Sequence, residues 1–175
     1  MEKIRQLQVI EATAENFAPY GWIMGEPSRE PDIDNLETKY WHSITPFKGF
    51  SDNQIINYFI TKKILPVCRI LESILETDEA YINVGVSRFI LFTAASKTNS
   101  ELLLEDLKAF LFKPGQSPVV KHKVWHWAPT PLDCDNRFLL LISGDNMIHG
   151  ENGWDLNTSR VLVKRLECSY GVMGL

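Results

Sequence analysis

Leu104-Glu105-Asp106-Leu107-Lys108-Ala109-Phe110-Leu111-Phe112-Lys113-Pro114-Gly115-Gln116, continuing through Val119-Val120-Lys121-His122-Lys123-Val124-Trp125-His126-Trp127-Ala128-Pro129, is the most telling stretch of this chain. An apolar run stops at a Pro-Gly turn, and a β-branched, aromatic run follows it, which is the pattern of strand, turn and strand. On one continuous strand His122, Val124 and His126 face one side, while Lys123, Trp125 and Trp127 face the other. Two imidazoles beside a large apolar wall suit a small-molecule site. Aromatic-rich strands are also ordinary core, with histidines held by structural hydrogen bonds, so the pattern alone leaves both readings open.

Working outward, runs of the same kind recur at Lys39 to Ser43, Gln54 to Ile60, Tyr81 to Val84, Ser87 to Ala94, Phe138 to Ser143 and Arg160 to Leu166. Turn residues separate most of them, the signature of an all-β sandwich or barrel. Ala12 to Tyr20 reads as one short helix, with Thr13 as N-cap, Asn16 at the capping-box position and Gly21 as its stop. Residues 25 to 38, rich in Gly, Pro, Asp, Glu and Asn, read as a loop. One segment is ambiguous: Ile64, Val67, Cys68, Leu71, Ile74 and Leu75 recur at helical spacing, with Pro66 tolerable in a first turn.

The chain has 175 residues, enough for one domain with a real core, and we take residues 1–175 as that domain. Hydrophobic residues make up 45% and charged residues 23%, a globular balance rather than a disordered one. A net charge of -4, with Lys62-Lys63 and Lys121/Lys123 too small to make a phosphate-tracking stripe, argues against a nucleic-acid partner. Cys68, Cys134 and Cys168 are odd in number and scattered, without a CxxC pair or a disulfide framework, which fits a reducing cytoplasm. No signal-peptide core follows Met1 to Arg5, and no window reaches the ~18 apolar residues of a membrane span, so no membrane partner is expected. There is no G-x-S-x-G elbow and no phosphate-binding glycine loop, which leaves nucleophilic serine chemistry and nucleotide binding without support.

The order of several short motifs resembles the ureidoglycolate lyase family, small β-barrels of the cupin type. Leu7-Gln8-Val9 with Thr13-Ala14-Glu15-Asn16-Phe17-Ala18-Pro19-Tyr20-Gly21 is similar to the family's opening. Lys39-Tyr40-Trp41-His42 lies where the family has a basic residue, an aromatic and a histidine. Glu79-Ala80-Tyr81-Ile82-Asn83-Val84 resembles its Gln-Ala-Phe-Ile-Pro-Leu, Leu107-Lys108-Ala109-Phe110 its Leu-Arg-Ala-Phe, and Val124-Trp125-His126 its Trp-His signature. The resemblance runs over about residues 7–145, leaving 146–175 as an extension. It implies a mainly β, cupin-type (jelly-roll) barrel with a few short helices, and it favours a strand over a helix at Ile64 to Glu76. The departures are as specific as the matches. The family's Glu-Arg-His-Pro run stands here as Glu72-Ser73-Ile74-Leu75, without its arginine and histidine, and the family's glutamine is Glu79.

Family members split ureidoglycolate into urea and glyoxylate, a step of allantoin degradation in purine catabolism. The substrate is a hemiaminal, so its breakdown needs a base for the hydroxyl proton, an acid for the leaving nitrogen and an anchor for the carboxylate. The resemblance and the strand pattern together put His126 forward as base, with Glu72 and Glu79 as candidate acids if burial raises a pKa. Lys39, Arg69 or Arg88 would replace the lost arginine, and Tyr40, His122 and Trp125 would line the substrate pocket. A divalent metal shared by His122 and His126 is a further expectation, since neutral imidazoles two strand steps apart can hold one cation. Two functions follow: a lyase acting on ureidoglycolate or a related small hydroxy or keto acid, and a non-catalytic barrel that binds a small carboxylate. Exposed strand edges imply a homodimer.

Overall fold

A computed structural model describes residues 4–25, 29–41, 43–44, 53–150 and 153–173. In chain order these form β1 (Ile4–Glu11), α1 (Ala14–Phe17), β2 (Gly21–Met24), β3 (Ile33–Asp34), β4 (Lys39–Tyr40), β5 (Gln54–Thr61), β6 (Val67–Ile74), β7 (Glu79–Asn83) and β8 (Phe89–Ala94). There follow β9 (Lys108–Phe112), β10 (Ser117–Val120), β11 (Trp125–His126), β12 (Thr130–Pro131), β13 (Asn136–Ser143), β14 (Met147–Gly150), β15 (Gly153–Leu156) and β16 (Val161–Met173). The larger sheet runs β11-β6-β16-β1-β9-β8-β12, and a further pairing of β11 with β8 closes it into a ring. A second sheet, β2-β10-β7-β13-β5, covers one side. The architecture is the mainly β barrel read from strand spacing and turns, of the cupin type that the family resemblance implies.

Strand β8 of the larger sheet is buried on both faces, and the alternation along it shows why. On β8, Phe89 and Leu91 enter a core shared with the second sheet, whereas Ile90, Phe92 and Ala94 enter a core inside the ring. Phe110 and Phe112 of β9 join the first core, where Phe112 stacks on Phe89 at 5.2 Å between ring centroids. A strand buried on both faces loses the polar half of its alternation, which is why such runs read as continuously apolar. β1 departs from the antiparallel pattern, pairing parallel with both β16 and β9.

Three local expectations meet informative outcomes. Thr13 caps α1, and the reciprocal bonds Asn16 N–H to Thr13 Oγ1 (3.2 Å) and Thr13 N–H to Asn16 Oδ1 (2.9 Å) close the capping box. The helix is one turn long, anchored by buried Phe17. Gly21 is required for a reason other than helix stopping: a Cβ there would collide with the Val119 carbonyl of β10. The helix-spaced segment forms strand β6, whose apolar spacing arises because Cys68 and Leu71 fill the ring core while Ile74 faces the other way.

The Val119 to Trp127 run is not a single strand. β10 belongs to the second sheet and β11 to the ring, and the chain crosses between them in a turn where Lys123 takes a φ of 66°. This left-handed residue breaks the alternation between His122 and His126. His122 therefore does not share a site with His126. Asp78 Oδ1 holds it instead, accepting the His122 backbone N–H and meeting its Nδ1, both at 2.9 Å.

Candidate active site

Beyond the turn, strict alternation sends Trp125 into the ring core, where its Nε1–H donates to the Ser100 carbonyl at 3.1 Å. His126 points the opposite way, between the sheets, and is 1% exposed. Cross-strand register sets it directly opposite Glu72 of β6. Glu79, the first residue of β7 in the covering sheet, reaches across the gap to meet it. Its Oε2 lies 2.6 Å from His126 Nε2 and accepts the Tyr81 hydroxyl at 2.8 Å. Tyr81 shares the face of Glu79 because it lies two residues further along the same strand.

The hydrogen bonds fix the protonation of this cluster. His126 Nδ1 lies 3.0 Å from the Val124 carbonyl, which can only accept, so Nδ1 carries a proton. At Oε2 of Glu79 the second ring nitrogen again faces a carboxylate oxygen, one that also receives the tyrosine hydroxyl. The arrangement is that of an imidazolium donating to a carboxylate. Burial opposes the charge on His126, but the hydrogen bond and charge of Glu79, with smaller help from Glu72 and the Val124 carbonyl, outweigh it and raise its pKa above the usual value. Glu72 is pushed up to about 7, first by burial and then by the negative charge of Glu79, with His126 pulling the other way. Burial and the two acids lift Tyr81 well above its ordinary value, so it remains a donor.

Glu72 and Glu79 open onto a cavity of about 960 Å³ between the sheets. Its lining includes Phe59 and Ile142 and the polar residues Asn53, Asn146, Asn157 and Arg160. His126 stands one layer behind Glu79 and is not part of the wall. Ile74, where the family has its histidine, does line the cavity. Ser73, at the arginine's place, faces away from it and is fully buried. An arginine there would point into the ring core, so of the two departures only Ile74 changes the cavity wall.

Of the residues proposed from sequence, the structure brings together Glu72, Glu79 and His126, and it scatters the rest. Lys39 lies in an exposed hairpin, 3.3 Å from Asp34, and Tyr40 beside it is exposed. Arg69 is exposed on β6. Arg88 pairs with Asp133 on the surface at 2.7 Å, and that guanidinium lowers the Asp133 carboxyl to about 2. His42 lies outside the described residues. None of Lys39, Tyr40, Arg69, Arg88, His122 and Trp125 lines the cavity. Sequence reasoning missed Tyr81 and Arg160, although the i, i+2 relation of Tyr81 to Glu79 was available as a signal.

The expected metal pair of His122 and His126 is not formed. A different set, Glu72, Glu79 and His126, offers three ligand atoms all within 4.8 Å of one another. Two carboxylates and an imidazole at that spacing are donor types that would hold a divalent cation.

A closed cupin-type barrel with two acids and a buried imidazole gathered between its sheets is the class of protein that fold and site define. The chain belongs to the ureidoglycolate lyase family, whose sequence profile matches residues 4–163. The match extends past the expected 7–145 and takes in Arg160. No curated protein matches the chain at a significant level. Among the described residues no helix is long and apolar enough to cross a membrane.

Proposed function

We propose that the protein cleaves ureidoglycolate to urea and glyoxylate, which would place it in allantoin degradation. The observation that carries this reading is the cluster of Glu72, Glu79 and His126, whose two acids face one cavity with the imidazole behind them, in a chain of this family. Glu72, with a pKa of about 7, is partly ionised at neutral pH and takes the hydroxyl proton of the hemiaminal. The O–H electron pair becomes the second C=O bond of glyoxylate as the C–N bond breaks, its electrons leaving on the ureido nitrogen. That nitrogen receives a proton from the Glu79–His126 pair, and the proton on Glu72 restores the pair for the next cycle. His126 thus serves as the proton reserve behind Glu79, not as the base expected from the sequence. A divalent cation held by the three residues would act as a Lewis acid toward a substrate oxygen.

The test is glyoxylate release by purified protein, with and without added divalent metal, beside His126→Ala. Loss of the buried imidazole should slow cleavage by ~10²–10⁴. A second reading, a non-catalytic barrel binding a small carboxylate, is favoured by one observation, the aliphatic Ile74 in place of an imidazole. Binding without cleavage under every condition would select it. We also propose pairing with a second copy through the outer face of β5, an edge strand of the covering sheet among the described residues, where Ile56, Tyr58 and Ile60 stand exposed in alternation.

A further inference from the structure

With Lys39, Arg69 and Arg88 away from the cavity, its carboxylate anchor has to come from elsewhere. Among the described lining residues the charged ones are Glu72, Glu79, Asp145 and Arg160, so one cation stands among three acids. An anionic substrate entering beside Glu72 and Glu79 is repelled unless that cation meets its carboxylate.

The backbone fixes where Arg160 stands. Its carbonyl accepts the Leu75 N–H at 2.9 Å, and the next residue, Val161, pairs with Ile74. The guanidinium thereby enters the cavity at the end of β6 where the family's histidine is missing. One nitrogen pairs with Glu76 Oε2, which leaves further donors of the planar fork for a second carboxylate.

A tight turn couples Arg160 to a second unusual group. Arg160 N–H donates to the Asn157 carbonyl and Asn157 N–H to the Asn146 carbonyl, both at 2.8 Å. Asn146 is 1% exposed and lines the same cavity. Its amide nitrogen donates to Thr77 Oγ1 at 3.1 Å, while its Oδ1 is buried with no hydrogen-bond partner. A buried acceptor without a donor is unfavourable, and a ligand N–H would relieve it.

We propose that Arg160 binds the carboxylate of the substrate and that Asn146 Oδ1 accepts an N–H from its ureido group. Held at both ends, a ureido acid presents its hydroxyl-bearing carbon to Glu72 and Glu79. An acid lacking N–H donors satisfies Arg160 alone. Glu76 competes with the substrate for the guanidinium and so weakens binding. This assignment rests on the cavity being the site of the reaction, and it names the substrate class that the site selects.

The experiment combines ureidoglycolate kinetics with calorimetric titration of glyoxylate on wild type, Arg160→Gln, Arg160→Lys, Asn146→Ala and Glu76→Gln, with thermal melts to establish folding. Loss of a charge-assisted contact should raise KM and the glyoxylate Kd of Arg160→Gln roughly tenfold to a hundredfold, with kcat little changed. Arg160→Lys should recover part of the loss, and Glu76→Gln should lower KM. Asn146→Ala should raise KM for ureidoglycolate yet leave glyoxylate affinity intact. Cleavage with unchanged KM and unchanged glyoxylate affinity in a folded Arg160→Gln overturns the anchor and leaves the lyase reading standing. Arg160-dependent glyoxylate binding by a wild type that does not cleave supports the anchor and removes the lyase. A wild type that neither cleaves nor binds glyoxylate overturns both.

Discussion

At His126 the two ring nitrogens face unlike acceptors, a backbone carbonyl on one side and the Glu79 carboxylate on the other, an arrangement that suits the proton-reserve role proposed for it. A consequence for stability follows. Glu72 has a folded-state pKa of about 7, above the ordinary carboxylate value, so between the two the folded protein binds more protons than the unfolded chain. His126, also raised, contributes stability that is complete below its unfolded value and is lost as pH rises through its folded one. Both groups act in one direction. Melting temperature should therefore fall between pH 5 and pH 8, and Glu72→Gln should flatten that fall in a calorimetric pH series. Tyr81→Phe removes a hydrogen bond to a buried charge and should cost ~1.5–3 kcal/mol by urea titration. His126 is legible as a site candidate because strand alternation and motif order both point to it, and Glu79 because it stands at the family's glutamine. Arg160 is not, because its approach to Ile74 depends on a long-range pairing that no local pattern records.

Among the elements, α1 and the β10–β11 crossing show what local signals can and cannot reveal. The capping box of α1 is written within four residues, and Thr13→Ala should lose ~0.5–2 kcal/mol in denaturant titration. Gly21 sits against the Val119 carbonyl, so Gly21→Ala should destabilise the protein more than the cap change does, with a lower melting temperature as the readout. The run from Val119 to Trp127 looks uninterrupted because both of its strands are β-branched and aromatic. The break falls on Lys123, a residue type that gives no turn signal. β6 was ambiguous for the complementary reason: burial on two faces spaces apolar residues as a helix would. In both cases tertiary contacts between the sheets, rather than propensity, set the local structure.

For the whole molecule, closure of the ring through β11 is what carries His126 between Glu72 on the wall and Glu79 on the covering sheet. The covering sheet ends on β5, whose exposed Ile56, Tyr58 and Ile60 are expected to seat a second copy. Light scattering should report a dimer, and Ile56→Lys with Tyr58→Lys should shift it to monomer while leaving the fold intact. Cleavage itself is the sharpest test, because it requires barrel, cluster and anchor together. The decisive measurement is the pH dependence of kcat/KM for glyoxylate release from ureidoglycolate, wild type against Glu72→Gln. The wild-type rate should climb as pH rises through about 7, where Glu72 ionises. In the variant that limb should vanish and the rate should drop by ~10²–10⁴. A Glu72→Gln protein with the wild-type rate and the wild-type pH profile would contradict the assignment of this cluster as the proton-transferring site.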